Sequence, residues 1–287
     1  MPSVFRASAP AAETEPVLGP LLELPGSWVG SGFNLIARPD KHDNAPFFLE
    51  LNETRETLTF TEIGAPIPNR GSGQDDIFFL GVHYLQQISD AVDNGALHLE
   101  PGMWINLPAT TDPVAPASVA RLATIPHGDA LLAQGSSFVV EGGPLIDPVS
   151  STPISSAGPT KGQPITNPAY LAPFTTTPLP PHVPAGAIAN PNVVLTEAIK
   201  NQKIVETTVL IIDTTAAIGG GTGGIENIPF VVRNANATSM SAIFWIEKVQ
   251  RESGPGHFLQ LQYSQRVILN FLDIDWPHIQ VGTLVKH

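Results

Sequence analysis

Cysteine is missing from all 287 residues. Its absence removes disulfides, thiolate metal sites, iron–sulfur clusters, cysteine nucleophiles and thiolate-ligated haem as working parts. Basic residues are scarce as well: 14 Lys and Arg stand against 26 Asp and Glu, for a formal net charge of −12. Nowhere do the cations gather into a stripe that could neutralise phosphates, so neither nucleic acid nor an anionic membrane surface is an expected partner. No apolar run approaches the roughly 20 residues that cross a bilayer. Met1 to Pro20 carries one Arg and no apolar h-region, so it does not read as a secretory signal, and a soluble, cytoplasmic protein is the expectation. A Gly-x-Ser-x-Gly elbow, a Ser-x-x-Lys pair and a His-Glu-x-x-His helix are all lacking. Charged residues make up only 14% of the chain.

What is abundant is proline, at 29, and glycine, at 25, a mixture that suits short connections between strands better than long helices. Runs of period-two alternation place strands at 28–37, 46–52, 56–62, 77–88, 97–107, 118–125 and 136–141. Asn52-Glu53-Thr54-Arg55 is read as a polar hairpin turn between the second and third of these, and Asp93-Asn94-Gly95 as another turn. Beyond residue 192, a short helix is expected over 193–203. Strands are then expected at 204–214, 230–232, 241–251, 258–270 and 279–285. The reading is a mainly β, antiparallel barrel with one short helix. After an N-terminal arm at 1–20, a single domain at 21–287 is interrupted by a long proline-rich insertion.

That insertion, 142–192, holds twelve prolines and only Asp147 and Lys161 as formal charges. A loop of this length is usually functional, disordered or wrapped over another subunit. Ile165, Tyr170, Leu171, Phe174, Leu179 and Val183 supply apolar anchors for a lid or for an arm through which copies of the chain assemble; a flexible linker is the bland alternative.

The first strand carries Gly26-Ser27-Trp28-Val29-Gly30-Ser31-Gly32-Phe33. Glycines alternating along a strand let the backbone bend or pass close to another chain. Trp28 is read as pointing to the face opposite these glycines, where its indole would plug one end of a barrel. The run Leu21 to Gly32 resembles the start of the nitrobindin-type haem barrels, and its G-x-W core is similar to the lipocalin and fatty-acid-binding calycins. The resemblance spans about a tenth of the chain. It implies a calycin-like barrel, an apolar cavity and haem held by one histidine.

On that reading His278, in Asp273-Ile274-Asp275-Trp276-Pro277-His278, stands nearest to the late axial histidine of the family. His127, between Pro126 and Gly128 and near Asp129, is the second candidate metal ligand, and His83, inside an apolar strand, is a third histidine for the cavity. Trp28 would line the cofactor's end. A surface or core role remains open for each histidine. No two histidines have the i, i+4 spacing of a helical zinc site, but His98-Leu99-Glu100 puts imidazole and carboxylate on one face of a strand, as cupin metal sites do. Glu50, Glu100, Asp129 and Glu247 lie in or near apolar strands, where burial suits acid or base work. Gly219 to Gly224 satisfies G-x-G-x-x-G formally but reads as a hairpin turn, because no helix opens directly after it.

Three functions follow as expectations. The first is binding of a hydrophobic small molecule, most specifically haem, with haem-dependent redox chemistry. The second is a cofactor-independent isomerase, cyclase or hydratase on a lipid-like or terpenoid substrate. The third is an assembly protein that uses the proline-rich arm.

Overall fold

The computed structural model describes residues 18–287; most of the expected N-terminal arm lies outside the described residues. Ten long antiparallel strands form one closed sheet: β1 (Gly26–Asp40), β2 (Ala45–Glu62), β3 (Ile77–Asp90), β4 (Ala96–Leu107), β5 (Ser118–Ile125), β6 (Asp129–Glu141), β7 (Ile204–Asp213), β8 (Asn236–Gln250), β9 (His257–Phe271) and β10 (Ile274–Lys286). Each pairs with the next in the sequence, and β10 closes on β1 with Trp28 opposite Lys286 and Leu35 opposite Ile279. Closure leaves no main barrel edge to pair with another chain. Both sides of the insertion supply staves.

Directly opposed residues of an antiparallel pair share a face. The register therefore puts Trp28, Leu58, Phe60, Val82, Trp104, Phe244, Leu261 and Leu284 on the inner face, where they pack into one apolar cluster at one end. A 3-10 turn, Gly19–Leu21, stoppers that end with Leu18, Leu21 and Leu24, so residues 18–20 belong to the barrel plug rather than to an arm. The Trp28 Nε1–H donates to the Leu24 carbonyl at 2.8 Å, tying stopper to wall. Trp28→Phe loses that bond and part of the ring; the expected cost is about 1–3 kcal/mol, read as a lower urea midpoint.

Three sequence expectations change. Trp28, Gly30 and Gly32 have the same strand parity, so the indole shares the inner face with the glycines instead of opposing it. Residues 52–55 are not a turn: β2 runs unbroken, and its turn to β1 lies at 41–44. Pro229–Asn234 is a helix, with proline at its first position, where the missing N–H is harmless. The helix expected at 193–203 is present as Val193–Ile199, and the glycine run folds as a small hairpin of Ala217–Ile218 with Gly221–Thr222.

The proline-rich segment lies along the outside of the barrel. Ile165, Tyr170, Phe174, Leu179 and Val183 join Ala187 and Leu195 against Phe33, Leu35, Phe47, Trp245, Trp276 and Ile279. Phe33 and Leu35 alternate with inner-facing Gly32 and Asn34, so this belt explains why the middle of β1 is buried on both faces. No described helix is long and apolar enough to cross a membrane.

Candidate ligand site

Away from the stopper the inner wall turns polar. Glu56 sits on it, 2% exposed, and its carboxylate accepts from the Tyr263 hydroxyl at 2.7 Å, from Thr54 at 3.2 Å and from the Gln86 and Gln280 amides at 3.3 Å. Burial nevertheless wins over these donors and raises the carboxyl above the usual range. Glycines make the space. A Cβ on Gly282 would lie 2.6 Å from the Tyr263 ring, and one on Gly32 would fall 2.0 Å from the Val281 carbonyl oxygen and 3.0 Å from Glu56 Oε1. The third glycine of the opening signature thus brings two strands together beside a buried acid.

Beside it, β4 and β5 place Glu100 and Arg121, 0% and 1% exposed. The guanidinium donates to Glu100 Oε1, to the Tyr84 hydroxyl at 2.8 Å and to Gln265 Oε1 at 2.6 Å. Tyr84 also donates to Glu100 Oε1. Burial alone would raise the Glu100 carboxyl; Arg121, then His98 and Tyr84, outweigh it and hold the group at about 2. Because that carboxylate only accepts, the His98 Nε2 at 3.1 Å from Oε2 must carry its proton. The pairing expected within His98-Leu99-Glu100 is present.

A third chain of bonds fixes His278. Asp90 accepts from Asn52 Nδ2 at 2.8 Å, Asn52 Oδ1 accepts from Asn34 Nδ2 at 3.1 Å, and Asn34 Oδ1 faces His278 Nε2 at 2.8 Å. A carboxylate at one end sets the direction of both amides, so His278 donates from Nε2 and its Nδ1 is left without a proton. Burial opposes the Asp90 charge, but Asn52 and the backbone N–H groups of Val92 and Asp93 lower its pKa. Burial, reinforced by the nearness of His98 and His127, takes the His278 ring down to about 3. It is a neutral imidazole throughout the physiological range.

His127 stands exposed in the turn between β5 and β6, its ring 6.0 Å from that of His98. Asp129 follows; its Oδ1 is buried without a hydrogen-bond partner among the described residues. Burial raises that carboxyl, while His127 and His98 pull it back. Among the described residues no three His, Asp or Glu side chains gather closely enough to hold a bare metal ion.

A cleft of about 810 Å³ opens at this end. Inner-facing Glu56, Ile88 and His98 line it with His127, and so do outer-facing Arg55, Thr57, Gln87 and Leu99, so it crosses the rim of the wall rather than filling the interior. His278 is not in that lining.

The histidine expectations divide. His278 and His127 share this end with His98. His83 does not: its neighbours Val82 and Tyr84 face inward, so strand parity turns His83 out to solvent, a correction to its place in a cavity. Trp28 lies in the filled apolar end. Glu50 pairs with Arg38 at 2.6 Å at the surface, and Glu247 faces outward beneath the belt. Sequence reasoning passed over Glu56, Arg121, Tyr84, Tyr263 and the glutamines. Glu56 and Tyr263 are 207 residues apart, and only the closing of the barrel joins them.

No family model matches the chain, and no curated protein matches it. The crystal structure of Rv2717c from M. tuberculosis aligns at 16% identity over 98% of this chain and 99% of that one, with a TM-score of 0.47.

Proposed function

We propose that the polar end of the barrel binds a small ligand through neutral imidazole, with haem as its most specific form. The observation that carries this reading is the Asp90–Asn52–Asn34–His278 relay. It holds one ring in a single tautomer with Nδ1 free to give an electron pair, as a metal-bearing ligand requires. His98 is oriented in the same manner by Glu100. Ile88, Leu97, Leu99 and Pro126 give the cleft apolar walls for a hydrophobic body, and its volume falls within the range of small-molecule sites.

The set offers haem one oriented imidazole, His278, outside the cleft lining, and two, His98 and His127, within it. Bound there, haem would supply gas-binding or redox chemistry. The protein's own residues orient the imidazole, keep its Nδ1 unprotonated and hold Glu56 and Glu100 nearby. Protein purified with haemin present should show a Soret band that His278→Ala abolishes. No band after reconstitution would overturn the haem reading, and a band lost only in His127→Ala or His98→Ala would move the ligand.

The raised carboxyl of Glu56 favours a second reading, cofactor-independent acid and base chemistry on an apolar substrate. Its mark is a colourless protein in which an acid titrates above the ordinary carboxylate range, followed by its carbonyl stretch in the infrared and removed in Glu56→Gln.

A further inference from the structure

The belt covers one side of the barrel, and another side is bare in an unusual way. On the outer face of β3 to β6, Leu85, Leu99, Met103, Leu122 and Leu132 are between 36% and 44% exposed. They form a patch and not a scatter: Met103 is directly opposite Leu122, Leu122 directly opposite Leu132, and Leu85 opposite Pro101. Between and around them the outward positions of these four strands are Gly, Ala, Ser, Thr, Gln, Pro and further apolar residues, with His83 the lone titratable side chain. In a chain of net charge −12 these four strands carry no outward Asp, Glu, Lys or Arg; Glu226, opposite Ala130 on the short strand 224–227, borders the face.

We infer that this face docks on the same face of a second copy of the chain, making a two-fold dimer. Charge selects the occupant. A basic partner would gain nothing from a surface without carboxylates, whereas two acidic copies can meet here and nowhere on an acid-bearing wall without like charges facing one another. Size agrees. Four strands about 4.8 Å apart, rising about 3.4 Å per residue, span on the order of 600 Å², so two faces bury roughly 1,200 Å², the lower bound for specific association. Exposed contiguous apolar area of this extent marks interaction surfaces. The barrel's ladders are already closed, so side chains alone make the contact.

Sedimentation velocity on the full chain from about 1 to 100 μM is the test, with Leu122→Glu and Met103→Glu as variants. Both positions are exposed, so the fold should survive, as far-UV circular dichroism and the urea midpoint will check. Leu145→Glu, at an 82% exposed position of the belt, is the control. The expected result is a monomer–dimer equilibrium whose Kd rises at least tenfold in both variants and is unchanged in the control. A chain that stays monomeric across the range overturns the inference, as does a dimer that survives both variants or that is lost in Leu145→Glu. Flotation of the monomer with phosphatidylcholine vesicles, abolished by Leu122→Glu, would overturn it in favour of lipid.

Discussion

Arg121→Met should cost about 3–5 kcal/mol, the usual penalty for stranding one member of a buried ion pair. The side chain stands where the apolar and polar halves of the interior meet. Its guanidinium lies 5.4, 5.9 and 5.3 Å from the ring centres of Tyr84, Trp104 and Phe244 while its nitrogens reach Glu100, Tyr84 and Gln265. Methionine keeps the apolar bulk and deletes the charge. Glu100 then keeps only Tyr84 and His98, in a site with no access to water, and must either hold an uncompensated charge or take up a proton. The double variant Glu100→Gln, Arg121→Met removes the stranded charge as well and should recover more than half of the loss. Urea unfolding of the three proteins decides the matter. A single-variant loss below about 1 kcal/mol, or a double variant no better than the single, would show that the pair is not the electrostatic keystone of the interior.

How much of this was legible beforehand depends on which face of a strand spoke. Strands with an apolar inner face, such as Val82, Tyr84 and Ile88 of β3, alternate in the expected way and were read directly. The pattern divides β2 in two because Asn52, Thr54 and Glu56, its inward residues, are polar. In an ordinary barrel such a run belongs to a turn, and here it is buried against other polar side chains inside the wall. Hydrophobic patterning assumes an apolar core, and it fails where the buried residues are polar.

The site shows the same division. His98 and Glu100 are two residues apart on one strand, so parity alone put them together. The relay to His278 instead passes through Asn34, Asn52 and Asp90, on three strands, with Asn34 and His278 244 positions apart. Each of these amides alone is an unremarkable polar residue, and only the register of β1 with β2 and β10 lines them up. The belt was legible as apolar anchors but not as a position. Nothing in Tyr170 or Phe174 says whether it covers the mouth, another subunit or, as found, the outside of its own wall.

Beneath that belt, Glu247 makes stability depend on pH. The side chain is 0% exposed, Oε2 accepts from Gln260 at 2.6 Å, and Oε1 is buried without a partner among the described residues. Thr207 across the strand pair and the Gln260–Gln202 amide pair of the belt contact, all uncharged, are its neighbours. Burial, against the pull of the Gln260 bond, raises the carboxyl from 4.5 to about 7. The sign follows from proton counting. Below pH 4.5 folded and unfolded chains both carry the proton. Between 4.5 and 7 the unfolded chain gives it up while the folded one keeps it, so stability falls as pH rises through this window and levels off above it. A span of that width corresponds to about 3 kcal/mol. Glu247→Gln cannot ionise, so its stability relative to the parent should improve steadily from pH 4.5 to 7 and then stay constant. Urea midpoints of the two proteins at pH 5, 6, 7 and 8 measure this difference directly. Parallel pH profiles would mean that the carboxyl ionises in the folded protein at its ordinary value, and with it that the belt seals Glu247 from water less completely than its burial indicates.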